Sequence, residues 1–180
     1  MTFANQLTLA RFVAVVPVMV ALYVPFPGNR TVATVVYVAA LLTDYLDGIL
    51  ARRSKEVTAF GKLMDSIADK ALIVSLFFAL VAEGSMVAWM AAIMVVREFA
   101  VTGLRMVAVE AGEVIAANKW GKAKMNAQSI AIFILLLGYV QVGYWAMLVA
   151  TMLTLLSGWS YLKDAPRVLA ASSAGKERRL

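Results

Sequence analysis

The sequence predicts an all-α integral membrane protein with six transmembrane helices. Three observations lead there. Hydrophobic residues make up 62% of the chain, well above the roughly 45–50% of soluble domains. They gather into six runs, each near the ~17–25 residues that cross a bilayer as a helix. Lys and Arg concentrate in alternate loops, as in a chain that threads a membrane with its positive loops inside. At 180 residues the length suits one domain.

The first span covers 7–24. Residues 1–6 hold no Lys or Arg, and no small-residue cleavage pattern follows, so no cleaved signal peptide is predicted. Asn5, Thr8 and Arg11 fall within an arc of about 120° at helical spacing. They read either as a helix cap with a snorkelling arginine or as a group reaching a nucleotide or phosphate. Pro17 lies inside the span, which membrane helices tolerate. Pro25-Phe26-Pro27-Gly28-Asn29 is a turn. Spans two and three cover 31–50 and 62–82, joined by a stretch too polar to cross, in which Thr58 is placed to bond a cytidine or phosphate. Span four covers 86–107. A basic stretch containing Lys119, Lys122 and Lys124 leads to span five, 126–142, and a short turn at Gln141-Val142-Gly143 leads to span six, 144–162. Tyr139, Tyr144 and Trp145, and then Trp159 and Tyr161 beside Lys163, read as interfacial aromatic belts. The domain division is a membrane catalytic domain over 1–163 and a polar cytoplasmic tail over 164–180, whose composition predicts disorder.

With the N-terminus in the cytoplasm, the loops after spans one, three and five carry a single basic residue, Arg30. The second–third loop carries Arg52, Arg53, Lys55 and Lys62, and the tail carries Lys163, Arg167, Lys176, Arg178 and Arg179. This asymmetry predicts a multi-pass protein of the cell (cytoplasmic) membrane. The chain has no cysteine and no histidine. Disulfides and thiol catalysis are excluded, and a general base must be Asp, Glu, Lys or a metal-bound group. The net charge of +6 suits anionic headgroups and phosphorylated ligands. No basic run interleaved with aromatics points to nucleic acid.

The chemistry concentrates between Asp44 and Asp69. Carboxylates at membrane depth carry a penalty of roughly 2.5–3.5 kcal/mol each, so a cluster of them implies function. At helical spacing Asp44, Asp47, Gly48, Ala51 and Arg52 share one arc, and Gly61, Asp65 and Asp69 share a second. Two antiparallel helices can turn both stripes towards one pocket. Four carboxylates without soft ligands suit a hard cation, Mg²⁺ or Mn²⁺, and provide charge for two, the arrangement that clamps both oxygens in phosphoryl chemistry. Arg52 offers a fork for phosphate. In span four, Arg97, Val101 and Arg105 form an i, i+4, i+8 stripe. It reads as an interhelical salt bridge or as a phosphate site for a second substrate. Arg97 and Glu98, adjacent on a helix, are not expected to neutralise each other.

The run Asp44-x2-Asp47-Gly48-x2-Ala51-Arg52-x8-Gly61-x3-Asp65-x3-Asp69 resembles the signature of the CDP-alcohol phosphotransferase family. The resemblance implies that family's six-helix fold, a homodimer, and a two-metal site facing the cytoplasm. It also implies transfer of a phosphatidyl group from a CDP-lipid to an alcohol with release of CMP. On it, Asp44, Asp47 and Asp65 hold the metals with Asp69 at the edge of the cluster, and Asp69 is the candidate base. Gly48, Ala51, Arg52 and Gly61 surround the CDP, and the opening with Asn5 and Thr8 is similar to that of phosphatidylglycerophosphate synthases. Arg97-Glu98 with Gly103-Leu104-Arg105, followed by Gly121-Lys122-x-Lys124-x3-Gln128, resembles the same branch. It implies CDP-diacylglycerol and sn-glycerol 3-phosphate as substrates within a membrane of lipids, with Arg97, Arg105, Lys122 and Lys124 as acceptor-phosphate candidates. Ser66 stands where many relatives have proline, and Met125 where the branch often has threonine. The resemblance runs from about residue 5 to 128.

Other readings fit the same residues. The acceptor could be inositol phosphate or phosphatidylglycerol within the same family. A prenyltransferase also uses Asp clusters, though it lacks the Gly48-x2-Ala51-Arg52 face. A cation-conducting protein can line its path with acids, and flux unaffected by CDP-lipid would mark it.

Overall fold

Among its described residues, the computed structural model forms six helices. It describes the backbone of residues 3–51, 59–110 and 119–177, and the side chains of 13–43, 67, 70–109, 119–163, 165 and 166. The helices are α1 (Phe3–Tyr23), α2 (Asn29–Ala51), α3 (Ala59–Ala82), α4 (Ala88–Glu110), α5 (Lys119–Leu136) and α6 (Val140–Glu177). A helix underlies each predicted span, although the fifth breaks after Leu136, short of its predicted end at 142. Long apolar runs in lipid must satisfy their backbone groups internally, and the helix does so within a single segment. α1 continues through Pro17, which removes one rung of its hydrogen-bond ladder. It ends before the Pro25-Phe26-Pro27 turn. Asn5 and Thr8 both lie inside α1 rather than ahead of it, so the cap reading does not hold for Thr8, a turn beyond the helix start.

The chain divides into two compact units, 1–86 with 132–143 and 87–131 with 144–180. In the first, α1 packs against both α2 and α3, around a core that includes Val18, Ala33, Tyr37, Leu76 and Phe77. In the second, Met90, Met94, Ala108, Ala131, Met147 and Ala150 are buried. The outward faces are apolar: Phe78, Val96, Phe99, Val149, Leu156 and Trp159 are each more than half exposed, a pattern suited to lipid rather than water. Among the described residues one stretch, Val140–Lys163, is by itself long and apolar enough to cross a bilayer. Val13–Tyr23, Asn29–Thr43 and Lys70–Ala82 are shorter apolar stretches.

The α5–α6 turn lies earlier than the sequence predicts. Gly138, not the 141–143 segment, makes it. The Gly138 N–H donates to the Leu135 carbonyl at 2.9 Å and the Tyr139 N–H to Ile134 at 3.2 Å, with Gly138 at φ +88°. This is a left-handed helix cap of the kind glycine favours. Gly143 sits inside α6, where a Cβ would lie 2.3 Å from Leu135 Cδ2. Its role is close approach of α6 to α5. Gly138→Ala is expected to lose about 1–2 kcal/mol, the penalty of a Cβ in the left-handed region, visible as a lower thermal midpoint in detergent.

The three turns α1–α2, α3–α4 and α5–α6 gather at one end of the first unit. Arg30 donates to Glu83 Oε1 at 2.5 Å, Ser85 Oγ to Glu83 Oε2 at 3.2 Å, and a Cβ on Gly138 would lie 3.2 Å from Arg30. The one basic residue predicted for these loops is thus neutralised. At the other end of the chain, the predicted disordered tail is helical. α6 continues through Pro166 to Glu177, a length of about 57 Å. Ala165, Ala170, Ala171 and Ala174 favour helix strongly enough to carry it past the proline.

Candidate active site

The aspartate motif falls on two helices of the first unit. Asp44, Asp47, Gly48 and Ala51 lie in the last two turns of α2, and Gly61, Asp65 and Asp69 in the first three turns of α3. The backbone is helical at all seven positions, so the i, i+3 spacing of the first Asp pair and the i, i+4 spacing of the second put each pair on one helix face. α1, which carries Asn5 and Thr8, packs against both motif helices. The side chains of these residues, and Arg52 and Thr58 altogether, lie outside the described residues. Among the described residues no cluster of acids could hold a metal. The donor set nevertheless fits a divalent cation: four carboxylates, all hard oxygen ligands.

The cationic candidates separate. Lys122 is exposed on α5, whereas Lys124 and Gln128, one turn apart, are buried. Lys124 Nζ forms an ion pair with Glu98 across to α4. Arg97 Nη1 donates to the same carboxylate oxygen at 3.2 Å. Adjacent residues on the helix therefore do pair here, against expectation. Their Cβ atoms diverge, but both side chains are long enough to curl back when Lys124 fixes the carboxylate between them. The Arg97 and Glu98 side chains are 12% and 17% exposed, so both charges are largely withdrawn from solvent.

Arg97 and Arg105 turn their far ends to α6. Arg97 Nη2 donates to Ser157 Oγ at 2.5 Å and Arg105 Nη2 to the Tyr161 hydroxyl at 2.5 Å. Both guanidinium carbons lie against the Tyr161 ring, 5.5 and 5.2 Å from its centroid, within cation–π range. The i, i+8 arginine stripe of α4 is thus met by an i, i+4 Ser–Tyr stripe of α6. Nε of each arginine is buried without a hydrogen-bond partner, as is Gln128 Oε1. A buried unpaired donor is unfavourable by about 1–3 kcal/mol, and an incoming anion relieves it. Among the described side chains of this cluster, three cations face one carboxylate.

Tyr161 is a correction to the sequence reading. It is 3% exposed, not part of an interfacial belt, and Ser157 beside it carries no signal in the composition of its own segment. Matching the two four-residue periods, 97/101/105 on α4 and 157/161 on α6, would have found both. Gly158 makes the contact possible: a Cβ there would lie 3.3 Å from Arg97 Cγ. Gly158→Leu is expected to displace the Arg97 stem and lower the thermal midpoint.

A paired Asp-x2-Asp-Gly and Gly-x3-Asp-x3-Asp motif on two helices of an all-helical, lipid-suited chain defines a class. The chain belongs to the CDP-alcohol phosphatidyltransferase family, whose model matches residues 1–156. Members are generally dependent on divalent metal. The chain is 36% identical to a CDP-diacylglycerol–glycerol-3-phosphate 3-phosphatidyltransferase of Bacillus subtilis, over 94% of this chain and 97% of that one. It is 38% identical to the protein of the same name in Pectobacterium atrosepticum, over 88% and 92%. To that of Rickettsia bellii it is 32% identical, over 88% and 92%.

Proposed function

We propose that this protein transfers the phosphatidyl group of CDP-diacylglycerol to sn-glycerol 3-phosphate, forming phosphatidylglycerophosphate and CMP. The observation that carries this reading is the presence of both the aspartate motif and a buried cationic cluster in a chain similar over most of its length to relatives named for that reaction. In the reaction a glycerol hydroxyl oxygen attacks the phosphorus that bears the diacylglycerol. The phosphoanhydride bond breaks, CMP leaves with the bridging oxygen, and the hydroxyl proton passes to Asp69. Asp44, Asp47, Asp65 and Asp69 would hold two divalent cations, Mg²⁺ or Mn²⁺. When bound, these supply neutralisation of the pyrophosphate and acidify the attacking hydroxyl. Gly48, Ala51 and Gly61 leave room for the nucleotide against the backbone, with Asn5, Thr8, Arg52 and Thr58 as polar contacts to it.

A groove of about 540 Å³ between α2 and α5 offers a largely apolar surface to lipid. Val35, Val38, Ala39 and Leu42 line it on α2 and Phe133 and Leu137 on α5. The acceptor phosphate is assigned to Arg97, Arg105 and Lys124, with Lys122 on the outer face of α5 as a contact for approach. The favoured setting is a multi-pass homodimer in the cytoplasmic membrane, with the motif on the cytoplasmic side as the Lys/Arg asymmetry directs.

The test is product identification. Purified protein given CDP-diacylglycerol, Mg²⁺ and labelled glycerol 3-phosphate should yield labelled phosphatidylglycerophosphate. Turnover only with inositol phosphate or phosphatidylglycerol would reject the acceptor and keep the class.

A further inference from the structure

We infer that Tyr161 is a positioning residue for the acceptor: it aligns Arg97 and Arg105 without cancelling their charge. The inference rests on the proposed acceptor reading and deepens it. Two long guanidinium side chains would otherwise sample many rotamers, and ordering them on binding weakens affinity. Tyr161 orders them beforehand. Its buried ring lies within 5.5 Å of both guanidinium carbons, and its hydroxyl accepts from Arg105 at 2.5 Å. Four residues earlier, Ser157 accepts from Arg97 in the same way, and Gly158 leaves room for the Arg97 stem.

The chemistry of these partners matters. Both are neutral acceptors on α6. A carboxylate at either place would grip an arginine more tightly but offset the positive charge that a phosphate dianion needs. A hydroxyl and an aromatic face fix direction and leave the charge in place. The unpartnered Nε of each arginine remains for the anion. Tyr161 and Arg97 also line an apolar groove of about 880 Å³ between α4 and α6.

The test measures KM for glycerol 3-phosphate, KM for CDP-diacylglycerol and kcat on the full-length protein in mixed micelles. The variants are Tyr161→Leu, which removes ring and hydroxyl but keeps an apolar side chain, Tyr161→Phe, which keeps the ring, and Arg105→Met as reference. Tyr161→Leu should raise KM for glycerol 3-phosphate about tenfold, in line with loss of a charge-assisted hydrogen bond and ring contact. Tyr161→Phe should recover part of this, to about threefold. KM for CDP-diacylglycerol should stay within about twofold in both. If Arg105→Met raises the acceptor KM and Tyr161→Leu does not, the positioning role is wrong and the acceptor reading stands. If Arg105→Met leaves that KM unchanged, the acceptor reading fails and this inference with it. Equal rises in both KM values, or a lower thermal midpoint with unchanged KM, would mark Tyr161 as merely structural. Should Tyr161→Leu fail to fold, the threefold shift in Tyr161→Phe decides alone.

Discussion

Asp65→Asn should lower turnover by more than about 100-fold, and added Mg²⁺ or Mn²⁺ should restore part of it. Asparagine keeps the size and one carbonyl oxygen but removes a charge. Four carboxylates balance two divalent cations, and a site with three binds the second ion weakly. Loss of a mere outer partner of a metal ligand already brings 10–100-fold effects, and a direct ligand should do no less. Asp44→Asn and Asp47→Asn should behave alike. Asp69→Asn should differ, because it also removes the proton acceptor: turnover should fall by about 10²–10⁴-fold and stay low at saturating metal. Steady-state kinetics over a metal titration separates the two patterns. Near-normal turnover in all four variants would end the case for this motif as the reaction centre.

Arg105→Met should raise KM for glycerol 3-phosphate by about 10- to 100-fold, as expected when a charge-assisted hydrogen bond worth roughly 1.5–3 kcal/mol is lost. Methionine keeps much of the stem and its packing, so the effect reports the guanidinium. Arg97→Met should do the same. The double variant should fall short of the product of the two, because both arginines share the Tyr161 ring and neighbours of this kind are not additive. KM for CDP-diacylglycerol should hardly move. An acceptor without a phosphate would show no such selectivity, so a uniform loss across both substrates would remove the cluster from acceptor binding.

Much of this protein is legible without coordinates. Six apolar runs become six helices because a backbone in lipid has no partner but itself. The gaps 44/47 and 65/69 convert to shared helix faces because the helical repeat is a local property. The same repeat shows that Arg97 and Arg105 share a stripe. Local rules fail where two elements meet. Gly143 looks like a turn residue and is instead a point of close approach to Leu135, while Gly138 carries the turn. The tail composition predicts disorder, yet its alanines carry helix to Glu177.

What the sequence alone determined is therefore the class, and the helix on which Asp44, Asp47, Gly48, Ala51, Gly61, Asp65 and Asp69 each sit. All follow from spacing along the chain. Tertiary structure decided which faces meet: that Lys124 rather than Lys122 reaches Glu98, that Glu98 binds its own neighbour, and that Tyr161 turns inward to two arginines rather than outward to lipid. These are contacts between residues up to 64 positions apart. Helical periodicity says which residues travel together on a face, but the packing of one helix against another chooses what that face will touch.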